Sequence, residues 1–189
     1  EITGIDLVEV QIKVASGENI SYLRELKKTI GHSIQCRIYS EDSFNFLPST
    51  GKISYLALPE GDSLRIESGV VQGETISELY DPMLMKIITT GINREKAIKN
   101  MLSALKNLYI TGELNTNQML LIEAIESKEF KDATYNTQTL YGIKPNLDNK
   151  IDIEITEELF KLLGKKETKI LVNKNNNSDY WRPSFWDKR

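Results

Sequence analysis

Within "IQCRIYSEDSFNFLPSTGKI", residues 34–53, a thiol, an arginine, two acids and a Pro-Ser-Thr-Gly-Lys turn stand together. Such a set could be a catalytic strip, with Cys36 as nucleophile and Glu41 or Asp42 as base. The spacing argues otherwise. Over residues 30–39, His32, Ile34, Cys36 and Ile38 face one way, and Ser33, Gln35, Arg37 and Tyr39 the other. This is a strand with its cysteine on the apolar side. A buried thiol without a helix N-terminus or a cation beside it keeps a high pKa and stays inert. The single histidine shares that face and reads as a core or edge residue. Cys36 is thus expected in the core, with Arg37, Glu41 and Asp42 as polar groups at a strand end. "FLPSTGKI" then reads as the turn into the next strand. No GxxxxGK[ST] phosphate loop is present.

The elements that would position such residues follow from periodicity. Ile5, Val8, Ile12 and Ala15 recur at helical spacing, with Gly17 placed for a C-terminal cap. Thr3 and Asp6 have the capping-box spacing at its start. Strands are expected over 52–58, 63–67 and 84–90, separated by turns at 48–51 and 59–62. Asn93 caps a helix with the apolar face Ile98, Met101, Leu102, Leu105 and Leu108. A short strand ends at Gly112, and a helix over 116–126 buries Met119, Leu120, Ile122 and Ile125. Strands bunched together and then helices predict an α+β fold. Beyond Gly142 the expectations are a polar linker over 144–150, a helix over 156–163 and a flexible Asn-rich stretch over 173–178. Trp181 and Trp186, in "YWRPSFW", are expected to dock on a neighbouring domain.

Composition sets the outer bounds. The 189 residues allow one sizeable core. The 24 basic and 27 acidic side chains give a net charge of -3 and are well mixed. No basic stripe argues for nucleic acid, and no apolar run approaches the ~20 residues of a membrane span. One cysteine forms no internal disulfide, which points to a reducing compartment. The opening "EITGID" lacks an initiator methionine and the regions of a signal peptide, so the chain is expected to be a fragment of a larger polypeptide.

Four segments then occur in order: "EITGIDLVEVQIKVASGE", "GHSIQCRIYSEDSFNFLPSTGKI", "LRIESGVVQGETISELYDPMLMKI" and "GELNTN". Together they resemble the closing part of a biotin carboxylase, the ATP-dependent component of biotin-dependent carboxylases, over roughly residues 1–143. The resemblance implies the end of an ATP-grasp domain over 1–27. It implies a biotin carboxylase C-terminal domain over 28–143, an antiparallel sheet with flanking helices, and a helical connector over 144–189 leading toward a following domain. It also implies ATP, Mg2+ and bicarbonate, with biotin carried on a separate domain. The family's magnesium ligands, catalytic base and glycine-rich lid would all precede Glu1, so this chain alone is expected to be inactive.

One catalytic position of the family falls inside the chain. Arg65, in "SLRIES", matches the arginine that contacts bicarbonate and stabilises the enolate-like oxygen of biotin. A guanidinium is permanently charged and offers two parallel N–H bonds to a planar oxyanion. The plainer reading is a strand-surface ion pair with Glu67, which alternation places on the same face. Thr137, in "YNTQTL", stands where the family presents an apolar side chain beneath adenine, a departure from its pattern. Asp81 and Lys86 of "YDPMLMK" also match and are read as structural. "MLMK" is not the biotin-acceptor motif.

The tail beyond "TQTL" resembles the α subunits of acyl-CoA carboxylases of the propionyl or methylcrotonyl kind. Urea carboxylase and pyruvate carboxylase are the alternatives, and a non-enzymatic docking module is a reading of a different class. The implied partners are a biotinyl carrier domain and a carboxyltransferase subunit within a larger oligomer. The implied location is the cytoplasm, or the mitochondrial matrix in a eukaryote.

Overall fold

The computed structural model describes residues 1–25 and 29–145. The expectations for residues 146–150 of the linker, the helix over 156–163, the Asn-rich stretch and both tryptophans lie outside these residues. Within them the fold is α+β, built on antiparallel sheets with flanking helices.

Helix α1, Leu7–Ala15, starts one turn later than the capping-box reading, because Asp6 rather than Thr3 caps it. The Asp6 carboxylate accepts the Glu9 N–H at 2.9 Å. Gly17, at φ +80°, closes the other end. Its N–H reaches the Val14 carbonyl while that of Glu18 reaches Lys13, both at 3.0 Å. That is a Schellman closure, and it needs the left-handed residue that glycine supplies without a Cβ penalty. Of the apolar residues at helical spacing, Val8, Ile12 and Ala15 are exposed and Ile5 is half-buried, and no residue of α1 is buried.

Strands β1 (His32–Tyr39), β3 (Leu64–Ser68) and β5 (Met83–Gly91) form an antiparallel sheet in the order β1-β5-β3. A second sheet has the order β4-β2-β6, from β2 (Gly51–Ala57), β4 (Thr75–Ile76) and β6 (Tyr109–Gly112). The two-residue β4 is too short to show a period and was not expected. A Cβ on Gly112 would overlap the Lys52 carbonyl, so this close approach of β6 to β2 requires glycine.

The register of the first sheet settles which side chains share a face. On the inner face, Ile34, Thr89 and Leu64 form one cross-strand row and Cys36, Ile87 and Ile66 the next. Helix α2 (Arg94–Lys106) packs against β5 and β1 from this side. Asn93 caps it as expected, accepting the Lys96 N–H at 2.8 Å. Met101, Leu105 and Ile98 are buried, and Leu108, just past the helix end, joins the same core. His32, by contrast, is exposed. It is the first residue of β1 and pairs with Gly91, which offers no side chain to cover it.

Helix α3, Gln118–Glu126, begins two residues later than its pattern predicts. The reason is that Asn117 makes no side-chain bond to its own helix. Its Oδ1 accepts the Tyr39 N–H at 3.0 Å, and its Nδ2 donates to the Arg37 carbonyl at 3.2 Å. Gln118 is likewise buried and spent elsewhere, donating from Nε2 to the Leu105 and Leu108 carbonyls at 2.7 and 2.9 Å. The remaining helices are the short α4 (Lys128–Lys131) and α5 (Thr139–Gly142). Among the described residues no helix is long and apolar enough to cross a membrane.

Two outcomes follow from this core. Replacing Asn117 by Ala strands a backbone N–H and a carbonyl at the end of β1, so chemical denaturation should show a loss of about 1–3 kcal/mol. An unchanged unfolding midpoint would contradict the bridge. Burial pushes the Cys36 thiol up to about 12, which leaves a thiolate fraction on the order of 10⁻⁴ at pH 8. Alkylation of the native protein should therefore be slow, rise with pH toward 12, and become rapid in denaturant. Fast labelling at neutral pH in the folded state would contradict the core assignment.

Candidate functional site

The inner face of the first sheet is spent on packing, and its charged side chains stand on the outer face. There the register places Gln35, Ile88 and Arg65 in one row and Arg37, Lys86 and Glu67 in the next. The alternation that half-buries Leu64 and Ile66 sends Arg65 and Glu67 outward. β3 is an edge strand, which leaves Arg65 open on one side.

The Arg65 side chain is 59% exposed and held by two carboxylates. Its Nε donates to Oε1 of Glu67 at 2.6 Å, and Nη1 donates to Oε1 of Glu1 at 3.0 Å. Glu67 first, and Glu1 second, raise the Arg65 pKa above its already high value. The guanidinium is thus a fixed cation whose Nη2 hydrogens have no acceptor among the described residues. Such a fork suits a planar oxyanion. The ion pair with Glu67 read from alternation is present. The bond to Glu1 is not local, spanning 64 positions, and nothing in the spacing signalled it.

The strip over 34–53 is frame, as expected. The Asp42 carboxylate is committed to its own turn, accepting the Phe44 and Asn45 N–H groups at 2.9 and 3.0 Å. The Ser49 N–H bonds the Ser40 carbonyl at 2.9 Å and Glu41 bridges Pro48, which closes the loop. Half-burial raises the Glu41 pKa, opposed by a hydrogen bond to Asn117. Arg37 is exposed on the outer face. Asp81 caps the turn into β5, accepting the Met83 N–H at 2.8 Å.

Thr137 is exposed, in the turn leading to α5. It borders an apolar cavity of about 420 Å³ whose walls include Cys36, Leu121, Ile125, Phe130 and Leu140. The rings of Phe130 and Tyr135 stack there at 5.0 Å. Thr137 does not meet Arg65. It sits by β1, and β3 lies two strands away, about 10 Å across the sheet. Among the described residues no group of three or more His, Cys, Asp or Glu side chains could hold a metal ion.

Comparison with known proteins agrees with this architecture. Residues 35–141, more than half of the chain, match the family model described as Biotin carboxylase C-terminal domain. The chain is 39% identical over 140 residues to biotin carboxylase 2 of Bacillus subtilis, covering 74% of this chain and 31% of that protein. It is 45% identical over 118 residues to the mitochondrial methylcrotonoyl-CoA carboxylase subunit alpha of Dictyostelium discoideum, covering 61% of this chain and 17% of that one. Among solved structures it superposes on the biotin carboxylase domain of the 2-oxoglutarate carboxylase of Hydrogenobacter thermophilus, in complex with MgADP, ADP and bicarbonate. The TM-score is 0.68 at 37% identity, over 75% of this chain and 31% of that one. The chain thus spans less than a third of the length of these relatives. With its antiparallel sheets, the helix seated on the inner face of the first and this sequence match, the chain belongs to the biotin carboxylase C-terminal domain family.

Proposed function

We propose that this chain contributes the C-terminal part of the biotin carboxylase site in an acyl-CoA carboxylase α subunit, where Arg65 meets biotin and bicarbonate. In such a reaction ATP activates bicarbonate, and the N1' atom of biotin, having lost its proton, bonds to the carbon of the CO2 released. Negative charge gathers on the ureido oxygen as the N1' proton leaves, and passes to the carboxylate once the new C–N bond forms. Arg65 supplies a permanent cation and a pair of Nη2 hydrogens that have no acceptor among the described residues. The observation that carries the proposal is the fixed, outward guanidinium on an open edge strand.

Further parts of the reading go with it. Residues 1–27 form the end of an ATP-grasp domain, residues 28–143 the C-terminal domain, and residues 144–189 a connector toward a following domain. Thr137 lends its methyl group to the adenine side of the nucleotide. The magnesium ligands belong to the part of the ATP-grasp domain ahead of Glu1. The carrier of biotin and the carboxyltransferase are the partners, in the cytoplasm or in a mitochondrial matrix. The 45% identity to a methylcrotonoyl-CoA carboxylase α subunit supports the acyl-CoA class of acceptor.

The two readings of Arg65 differ in magnitude. Losing a transition-state donor costs ~10²–10³ in rate, whereas losing a surface ion pair costs about 0–1 kcal/mol of stability. In the complete enzyme, Arg65→Gln should leave melting nearly unchanged and cut biotin carboxylation by roughly two orders of magnitude. Lysine should rescue only partly, because it lacks the fork. A variant that unfolds, while its folded fraction turns over normally, would make Arg65 structural.

The isolated 189-residue chain should show no bicarbonate-dependent ATP hydrolysis and should not carboxylate free biotin. Fixation of labelled bicarbonate above background by the purified chain would refute that division of labour.

A further inference from the structure

The bonds that hold Arg65 are unusual for a sheet surface. Directly across from Glu67 on β5 stands Lys86, the position from which a cross-strand ion pair normally forms. The Glu67 carboxylate instead turns along its own strand to the Nε of Arg65, at 2.6 Å. A second carboxylate, Glu1, reaches the same guanidinium from the segment ahead of α1. Two carboxylates on one exposed cation exceed what charge balance asks, and exposed pairs contribute little to stability. What they remove is freedom. An arginine loses rotamer entropy when it is fixed, and a fork fixed in advance does not meet that cost as it binds.

Resting on the assignment of Arg65 to the biotin site, we propose that Glu67 and Glu1 are positioning residues for the carboxylation step. By engaging Nε and Nη1, they aim the Nη2 hydrogens outward from the sheet, where the reacting oxyanion stands. Glu1 also ties the segment ahead of α1 to β3, alongside the backbone bond from Ile30 N–H to the Ile2 carbonyl at 2.8 Å. The direction of the fork therefore depends on two parts of the chain being in register.

The test is a double-mutant cycle in the complete enzyme, reading kcat and KM for biotin carboxylation together with melting. Glu67→Ala should lower kcat about ten-fold, with little change in the KM for bicarbonate or in melting. Glu67→Gln keeps a carbonyl oxygen for the Nε–H and should recover most of the rate. In an Arg65→Ala background, Glu67→Ala should have no further effect, since Glu67 acts through Arg65. Glu1→Ala should act in the same direction and likewise vanish without Arg65. An undiminished rate in Glu67→Ala, while Arg65→Ala is impaired, overturns the positioning role and leaves the assignment of Arg65 standing. So does an equal loss in the Arg65→Ala background, or failure of glutamine to rescue. Full activity in Arg65→Ala itself overturns both.

Discussion

Strand β5 is hydrogen-bonded along both of its edges, to β1 on one side and β3 on the other. Its alternation therefore fixes the orientation of two neighbours at once. Met85, Ile87 and Thr89 are buried on the inner face, so Lys86, Ile88 and Thr90 must lie on the outer one. A slip of one residue would carry the apolar set into water and turn Arg65 into the core. About 25 cal/mol for each Å² of apolar surface buried opposes that slip, repeated over Ile34, Cys36, Ile38, Ile66, Ile87 and Met85. The placement of a charged side chain on the outer face is thus enforced by packing on the inner one.

Helix α2 and the buried amides complete the constraint. α2 covers the inner face, and Gln118 ties down its end, donating to the Leu105 carbonyl in the last turn and to the Leu108 carbonyl just past it. Asn117 does the same for the end of β1. These bonds tie β1, α2 and α3 to one another beneath the sheet. Glu67 and Glu1 hold the Arg65 guanidinium. Apolar packing occupies one face of the sheet, and the Arg65–Glu67 ion pair stands on the other.

Much of this was legible in local pattern. The alternation around Cys36, the Asn93 cap, the Asp81 turn and the outward pairing of Arg65 with Glu67 all follow from periods of two and 3.6 residues and from short-range bonds. What was not legible depends on contacts between distant residues. The sheet order β1-β5-β3 and the split into two sheets carry no local signal. Nor does the Glu1–Arg65 bond. The start of α3 was misplaced because Asn117 serves a strand 78 positions away rather than its own helix. The spacing of α1 reports an apolar stripe without saying what covers it, and no residue of the helix is buried.

The central claim is that this outer face points its arginine at the reacting oxyanion. A crystal structure of the complete enzyme with biotin and bicarbonate bound tests it most directly. The account predicts Nη2 of Arg65 about 3 Å from a bicarbonate or ureido oxygen, with Nε still on Glu67. A guanidinium bound only to its two carboxylates, with the ligands beyond hydrogen-bond reach, would contradict it.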